Sequence, residues 1–163
     1  MFENNSIYPE NKEECYKLIP EQLKALLDNE ADLVANLANA SALLGMALKD
    51  INWVGFYLMK NNKLMLGPFQ GKPACVHIPV GKGVCGTAVA EARTQLVPDV
   101  HKFSGHIACD SASRSEIVVP IFADGTVKGV LDIDSPLLDR FDETDRCYLE
   151  EFVHILELSC IWD

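Results

Sequence analysis

Positive charge is scarce in this chain. Fourteen Lys and Arg stand against 24 Asp and Glu in 163 residues, leaving a formal net charge of -10 and a pI near 4.8. Little is left from which to build the basic face that nucleic acid requires, and an anionic membrane surface is disfavoured for the same reason. Long apolar runs are missing too: no stretch approaches the roughly 18 uninterrupted apolar residues of a membrane span. The opening residues, Met1 to Glu14, are polar and acidic, with neither the basic start nor the apolar centre of a secretory leader. These absences predict a cytoplasmic protein that binds no nucleic acid and no membrane, in a compartment that keeps thiols reduced. Internal repeats, low-complexity tracts and linkers are also lacking, so residues 1–163 read as one domain.

What is present is an ordinary globular composition. Apolar residues make up 48 % and charged residues 23 %, which is enough to bury a core without staples. Six cysteines stand at 15, 75, 85, 109, 147 and 160. In a reducing compartment they do not read as a disulfide framework, and they lack the close Cys-x-x-Cys pairs of a zinc site. Reactivity for some and core packing for others remain. Cys147 and Cys160, on the last helix, fit packing, and Cys15 shows no role.

Periodicity predicts two opening helices, 13–27 and 30–48, the second with Leu33, Leu37, Ala40, Leu44 and Leu48 on one stripe. Strands follow at 52–60, 64–69 and 76–78, the first two joined by an Asn61-Asn62 turn. Gly81-Lys82-Gly83 lacks the rest of a phosphate loop and reads as a turn before a helix at 84–92. A strand at 95–98, a polar loop over 99–114 and a hairpin of 116–122 and 126–133 precede a closing helix, 143–161, with Asp142 as its N-cap. The expected fold is α+β: one six-stranded, mostly antiparallel sheet flanked by N- and C-terminal helices.

The last hairpin admits two registers. A two-residue Asp124-Gly125 turn would pair Ile117 with Asp132, mixing apolar and charged side chains on both faces, which a half-buried sheet resists. A three-residue loop, Ala123-Asp124-Gly125, keeps Ile117, Val119, Ile121, Leu131 and Ile133 together and sets Glu116 opposite Asp132 with Asp134 nearby. The second is the expected register, and it gathers three carboxylates on one patch. Such a cluster needs full solvation, a cation or a shared proton. A solvated strand end, a hard metal ion and an organic ammonium beside one protonated carboxyl that serves as general acid all remain open.

The loop Ser104-Gly105-His106-Ile107-Ala108-Cys109-Asp110-Ser111 puts a cysteine just before the carboxylate strand, in polar surroundings where core cysteines do not sit. Cys75 and Cys85 flank Gly81-Lys82-Gly83 and are able to approach the same loop. A metal set of His106, Cys109, Cys75 and Cys85 has a spacing unlike common zinc patterns. His101 and His106 otherwise read as surface histidines, and His77 and His154 as structural ones. Trp53 and Tyr57, four apart on a strand, share a face as core or as the aromatic wall of a small-ligand site.

Five segments resemble one family: Asn52-Trp53-Val54-Gly55-Phe56-Tyr57, Leu66 through Cys75, Gly81-Lys82-Gly83-Val84-Cys85-Gly86, His106 through Ser111, and Gly129 through Pro136. Over about 52–141 the chain is similar to the GAF-domain free methionine-(R)-sulfoxide reductases. The resemblance implies a GAF-like fold and reduction of free methionine sulfoxide without cofactor or metal. In that reading Cys109 is the nucleophile, Cys75 the resolving cysteine and Cys85 an auxiliary one. Glu116, Asp132 and Asp134 hold the substrate ammonium and protonate the sulfoxide oxygen, and Trp53 and Tyr57 line the methyl-sulfinyl end. Thioredoxin as reductant and a homodimer come from the same resemblance. The competing class is a GAF module that senses a small ligand or redox state without turnover.

Overall fold

The structure, a computed structural model, describes residues 7–163, so the first six residues of the polar opening stretch lie outside the described residues. Short polar side chains set the helix starts. Asn11 Oδ1 accepts from Glu14 N at 3.0 Å and opens α1, Lys12–Leu27. Asp32 Oδ1 accepts from Ala35 N at 2.8 Å and opens α2, Leu33–Ala47, three residues later than the expected start at 30 and at the first residue of the hydrophobic stripe. Asp142 caps α4, Glu143–Ser159, in a capping box with Asp145. That helix stops two residues short of expectation. Cys160 and Trp162 fold back on the core instead, where the indole donates to Leu156 O at 3.2 Å.

Between the terminal helices lie β1 (Trp53–Lys60), β2 (Lys63–Gly71), β3 (His77–Pro79), α3 (Gly83–Glu91), β4 (Gln95–Val97), β5 (Ser115–Ala123) and β6 (Thr126–Ser135). One sheet carries all six strands in the order β3-β2-β1-β6-β5-β4, and its neighbours pair antiparallel throughout. The Asn61-Asn62 turn forms as expected, with φ of 52° and 62°, the left-handed pair that a two-residue hairpin needs.

The β5–β6 hairpin departs from the expected register. Ala123 pairs with Thr126, so the turn is the two-residue Asp124-Gly125, both at positive φ. Alone, that turn would have mixed the two faces. A shift between Ile121 and Phe122 repairs the pattern: Ile121 pairs with Gly129 and Phe122 with Val127, leaving Lys128 as the extra residue of a bulge. Glu116 therefore lies opposite Asp134, not Asp132, and Val118 opposite Asp132. The face assignment is the one that hydrophobic alternation demands, but a bulge in β6 delivers it and a longer loop does not.

The sheet separates two cores. On one face Val54, Phe56, Ile117, Val119, Leu131 and Ile133 pack under α1, α2 and α4. On the other, Trp53, Tyr57, Val118 and Val130 meet Val84, Cys85 and Ala88 of α3 and Val100 from the loop before β5. Glu116, Asp132 and Asp134 share this second face.

Candidate active site

The carboxylates form the floor of a pocket. Glu116 comes from β5, Asp132 and Asp134 from the facing stretch of β6, and Trp53 and Tyr57 from β1, where Trp53 pairs with Asp134 and Tyr57 with Val130. Gly55, between the two aromatics, leaves the space that Phe69 occupies; a Cβ there would collide with Phe69. Phe69 in turn stacks on Trp53 with centroids 5.1 Å apart, and Trp53 on Tyr57 at 5.9 Å. Cys85, in the first turn of α3, and the loop residues His106, Cys109, Asp110 and Ser113 complete the lining.

Cys75 and Cys109 are joined by a disulfide, Cα to Cα 5.9 Å, across 34 residues of sequence. The aromatic pair holds the Cys75 segment in place. Tyr57 Oη donates to Cys75 O at 2.9 Å, and Trp53 Nε1 donates to Lys72 O at 3.1 Å. The Cys109 loop is tied down separately. Asp110 accepts from Ala112 N at 2.8 Å and from Asn52 Nδ2 at 3.0 Å, while Ser113 Oγ donates to Asp134 Oδ2 at 3.2 Å. Both sulfur-bearing segments are thus anchored to the strands that carry the floor. With the disulfide closed the cavity encloses about 30 Å³.

Burial governs the electrostatics here. It pushes the carboxyls of Glu116, Asp132 and Asp134 above their ordinary range, and for Glu116 and Asp134 the charge of Asp132 adds to it. Hydrogen bonds from Glu116 and Cys85 favour the Asp132 anion, while burial and the same contacts raise the Glu116 carboxyl and the Cys85 thiol, favouring their protonated forms. One Oδ1 of Asp132 and one of Asp134 are buried without any hydrogen-bond partner. Buried acceptors are normally satisfied, so this floor is shaped to receive a donor. Cys85, Glu116 and Asp132 bring one donor atom each within 4.8 Å of one another. In the His106–Cys109–Cys75–Cys85 set, two of the sulfurs are bonded to each other here.

Seven of the eight residues singled out from sequence line this one pocket, and Cys75 reaches it through the disulfide. Asn52, Asp110 and Ser113 were missed as site residues. No sequence pattern marks a serine that reaches back to a carboxylate 21 residues away. His106, expected at the surface, is largely buried, and its Nε2 lies 3.8 Å from Glu116 Oε2. Cys147, expected in the core, is exposed, whereas Cys15 and Cys160 are buried. His77 and His154 are exposed as well.

Residues 22–159 match the GAF domain family. The chain is 54% identical over 147 residues to the free methionine-R-sulfoxide reductase of Escherichia coli, covering 90% of this chain and 89% of that protein. The fRMsr of Staphylococcus aureus in complex with its substrate superposes with a TM-score of 0.85 at 60% identity, over 88% of this chain and 94% of the other. The free methionine-R-sulfoxide reductase of Neisseria meningitidis, also in complex with its substrate, gives 0.90 at 49% identity, over 93% and 91%.

Proposed function

Because the chain belongs to the GAF domain family, among its free methionine-R-sulfoxide reductases, we propose that it reduces free L-methionine-(R)-S-oxide to L-methionine. The observation that carries this reading is a cysteine bridge at the mouth of a pocket whose buried floor holds unpartnered carboxylate oxygens. A disulfide alone suits many proteins; an acidic floor alone suits any cation. Together they suit a small substrate that carries both an ammonium and an oxidised sulfur.

The chemistry runs in three steps. The substrate ammonium pairs with Asp132 and Asp134, and the methyl-sulfinyl end lies against Trp53 and Tyr57. The Cys109 thiolate attacks the sulfoxide sulfur while Glu116, protonated because it is buried beside Asp132, gives its proton to the oxygen. Methionine leaves, and Cys109 is left as a sulfenic acid. The Cys75 thiol condenses with it, releasing water and forming the disulfide. An external dithiol of the thioredoxin type then opens the bridge by exchange. Cys85, fully buried with its thiol pushed up by burial and by Asp132, is a proton-holding neighbour and a reserve thiol in this scheme. One domain over 1–163, a cytoplasmic setting that keeps such dithiols reduced and assembly as a homodimer belong to the same proposal.

Carboxylates beside a thiol raise its pKa and reduce its thiolate fraction. The bound ammonium removes that penalty, so Cys109 becomes reactive when the site is filled. The decisive experiment follows NADPH consumption with thioredoxin and thioredoxin reductase, supplying each methionine sulfoxide epimer separately. Turnover of the R epimer alone is the expected result. A redox-sensing module would form the same Cys75–Cys109 bridge, and it would show neither epimer-dependent turnover nor methionine release.

A further inference from the structure

In the reductase scheme each turnover takes one proton from Glu116. The leaving oxygen carries that proton into the sulfenic acid, and the Cys75 thiol supplies the second one when water is expelled. Glu116 must therefore be recharged once per cycle, yet its side chain is only 8% exposed. We propose that His106 is the relay that returns the proton to Glu116. This rests on the reductase reading and adds to it a residue that acts through Glu116.

The geometry selects His106 by elimination. Facing Glu116 are Asp132 and Asp134 from β6, Cys85 from α3 and Tyr57 from β1, with Cys109 and Asp110 on the loop that carries His106. Asp132 is as buried as Glu116, and in the reductase scheme Asp132 and Asp134 are engaged by the substrate ammonium. Burial, and then Asp132, makes the Tyr57 hydroxyl and the Cys85 thiol poorer acids than usual. The hydrogen bond from Ala112 N keeps Asp110 a carboxylate, and Cys109 is consumed by the reaction. Among these groups His106 is the nitrogen base beside Glu116, and it keeps part of its surface exposed. Its Nε2 stands 3.8 Å from Glu116 Oε2, and its side chain keeps 15% of its surface.

That separation is too long for a direct hydrogen bond. A small ring rotation or one bridging water closes it, as is usual for catalytic contacts in unliganded sites. Burial, and secondarily His101, favour the neutral ring. A neutral imidazole takes a proton at one nitrogen and gives one up at the other, so it resets after each transfer. With Nε2 toward Glu116, the ring still keeps part of its surface open for exchange with solvent.

His106→Gln and His106→Ala test this in the full enzyme. Near pH 8 the expected kcat loss is about a hundredfold, the lower end of what a positioned proton donor contributes. Near pH 6, where solvent protons are more abundant, the loss shrinks to about tenfold. KM stays unchanged, and added imidazole restores turnover in His106→Ala. Unchanged kcat at both pH values overturns the relay. So does an equal loss at both with no imidazole recovery, the mark of a packing role. A readout free of turnover is the His106 ring resonance followed by NMR titration. In the wild type it should move in two steps, one of them reporting Glu116, and Glu116→Gln should abolish that step. Identical single-step curves in both overturn the relay even if the protein proves unable to reduce either epimer, which would reject the reductase reading instead.

Discussion

The two faces of the sheet each bury acidic side chains, and they treat them in opposite ways. On the helix-covered side, Asp145 of α4 has no exposed surface, and both of its oxygens are occupied. Oδ1 accepts from Tyr16 Oη at 2.6 Å and Arg140 Nη1 at 3.3 Å. Oδ2 accepts from Lys12 Nζ at 2.8 Å and Asp142 N at 2.9 Å. On the pocket side, Glu116, Asp132 and Asp134 face one another, with no lysine or arginine paired to them among the described residues, and two of their oxygens have no partner. A buried charge with every lone pair used holds elements together, here α1, α4 and the segment before α4. A buried charge left unpaired costs stability and is kept where a ligand will complete it. Satisfaction, more than burial, separates the aspartate under the helices from those that line the pocket.

The largest effect should come from the pocket side and leave the fold untouched. Cys109→Ser is expected to remove turnover by about 10⁶, the scale seen when a nucleophile is lost, with thermal unfolding unchanged from that of the wild type in its reduced, bridge-open form. Cys75→Ser should still release one methionine per site and then stall as sulfenic acid, read by rapid quench and dimedone labelling. Activity retained in Cys109→Ser would break the assignment of chemistry to this face.

Next in size is substrate discrimination. N-acetyl-methionine sulfoxide has no ammonium to offer the unpaired oxygens of Asp132 and Asp134. Sites built around a polar partner reject analogues lacking it by about 10⁴ to 10⁵ in kcat/KM. Comparable kinetics for the acetylated and free forms would make the floor a mere acidic patch and erase the contrast drawn above.

Stability should sort the two clusters in the opposite sense. Asp145→Ala strands Arg140, Lys12 and the Tyr16 hydroxyl and should cost about 3 to 5 kcal/mol, measured by urea unfolding, with kcat per folded molecule unchanged. Asp132→Asn removes an incompletely paired buried charge and should raise stability by about 1 kcal/mol while substrate binding weakens. If both substitutions destabilise equally, satisfaction is not what distinguishes the clusters.

The pH dependence of unfolding sharpens this further. The carboxyls of Glu116, Asp132 and Asp134 are raised in the folded chain, by burial first. The folded state therefore holds their protons longer than the unfolded state does. Their contribution is a stability loss that begins as pH rises past the ordinary carboxyl range near about 4 and is complete above the raised folded values. Glu116→Gln and Asp134→Asn should flatten that decline in ligand-free protein. A decline equally steep in both variants would assign it to other groups. The smallest effect belongs to the helix side: Asp142→Ala removes a cap and should cost about 1 kcal/mol without altering kinetics.

Much of this was legible in one dimension, because the relevant physics is local. Period-two alternation put Ile117, Val119, Leu131 and Ile133 on one face and Glu116, Asp132 and Asp134 on the other, which is how they lie. Asn61-Asn62 and the Asp142 cap follow from left-handed backbone preference and short-range hydrogen bonding, and both formed. The polar setting of Cys109 excludes it from the core, and it lies in the disulfide at the pocket.

The rest depended on contacts between residues far apart in sequence. Whether Glu116 would meet Asp132 or Asp134 rested on a single bulge residue, Lys128, that alternation does not reveal, since a two-residue slip preserves the faces. His106, three residues before Cys109, reads as an exposed loop histidine until the loop folds over β5 and sets it near Glu116. Asp145 and Asp132 are the same side chain in strongly amphipathic contexts. Only the assembled structure gives one of them an arginine, a lysine and a tyrosine, and leaves the other with an oxygen unpaired. Propensity and alternation act over a few residues and so can be read along the chain. Partnering of buried charge is a property of the packed interior, and no stretch of sequence contains it.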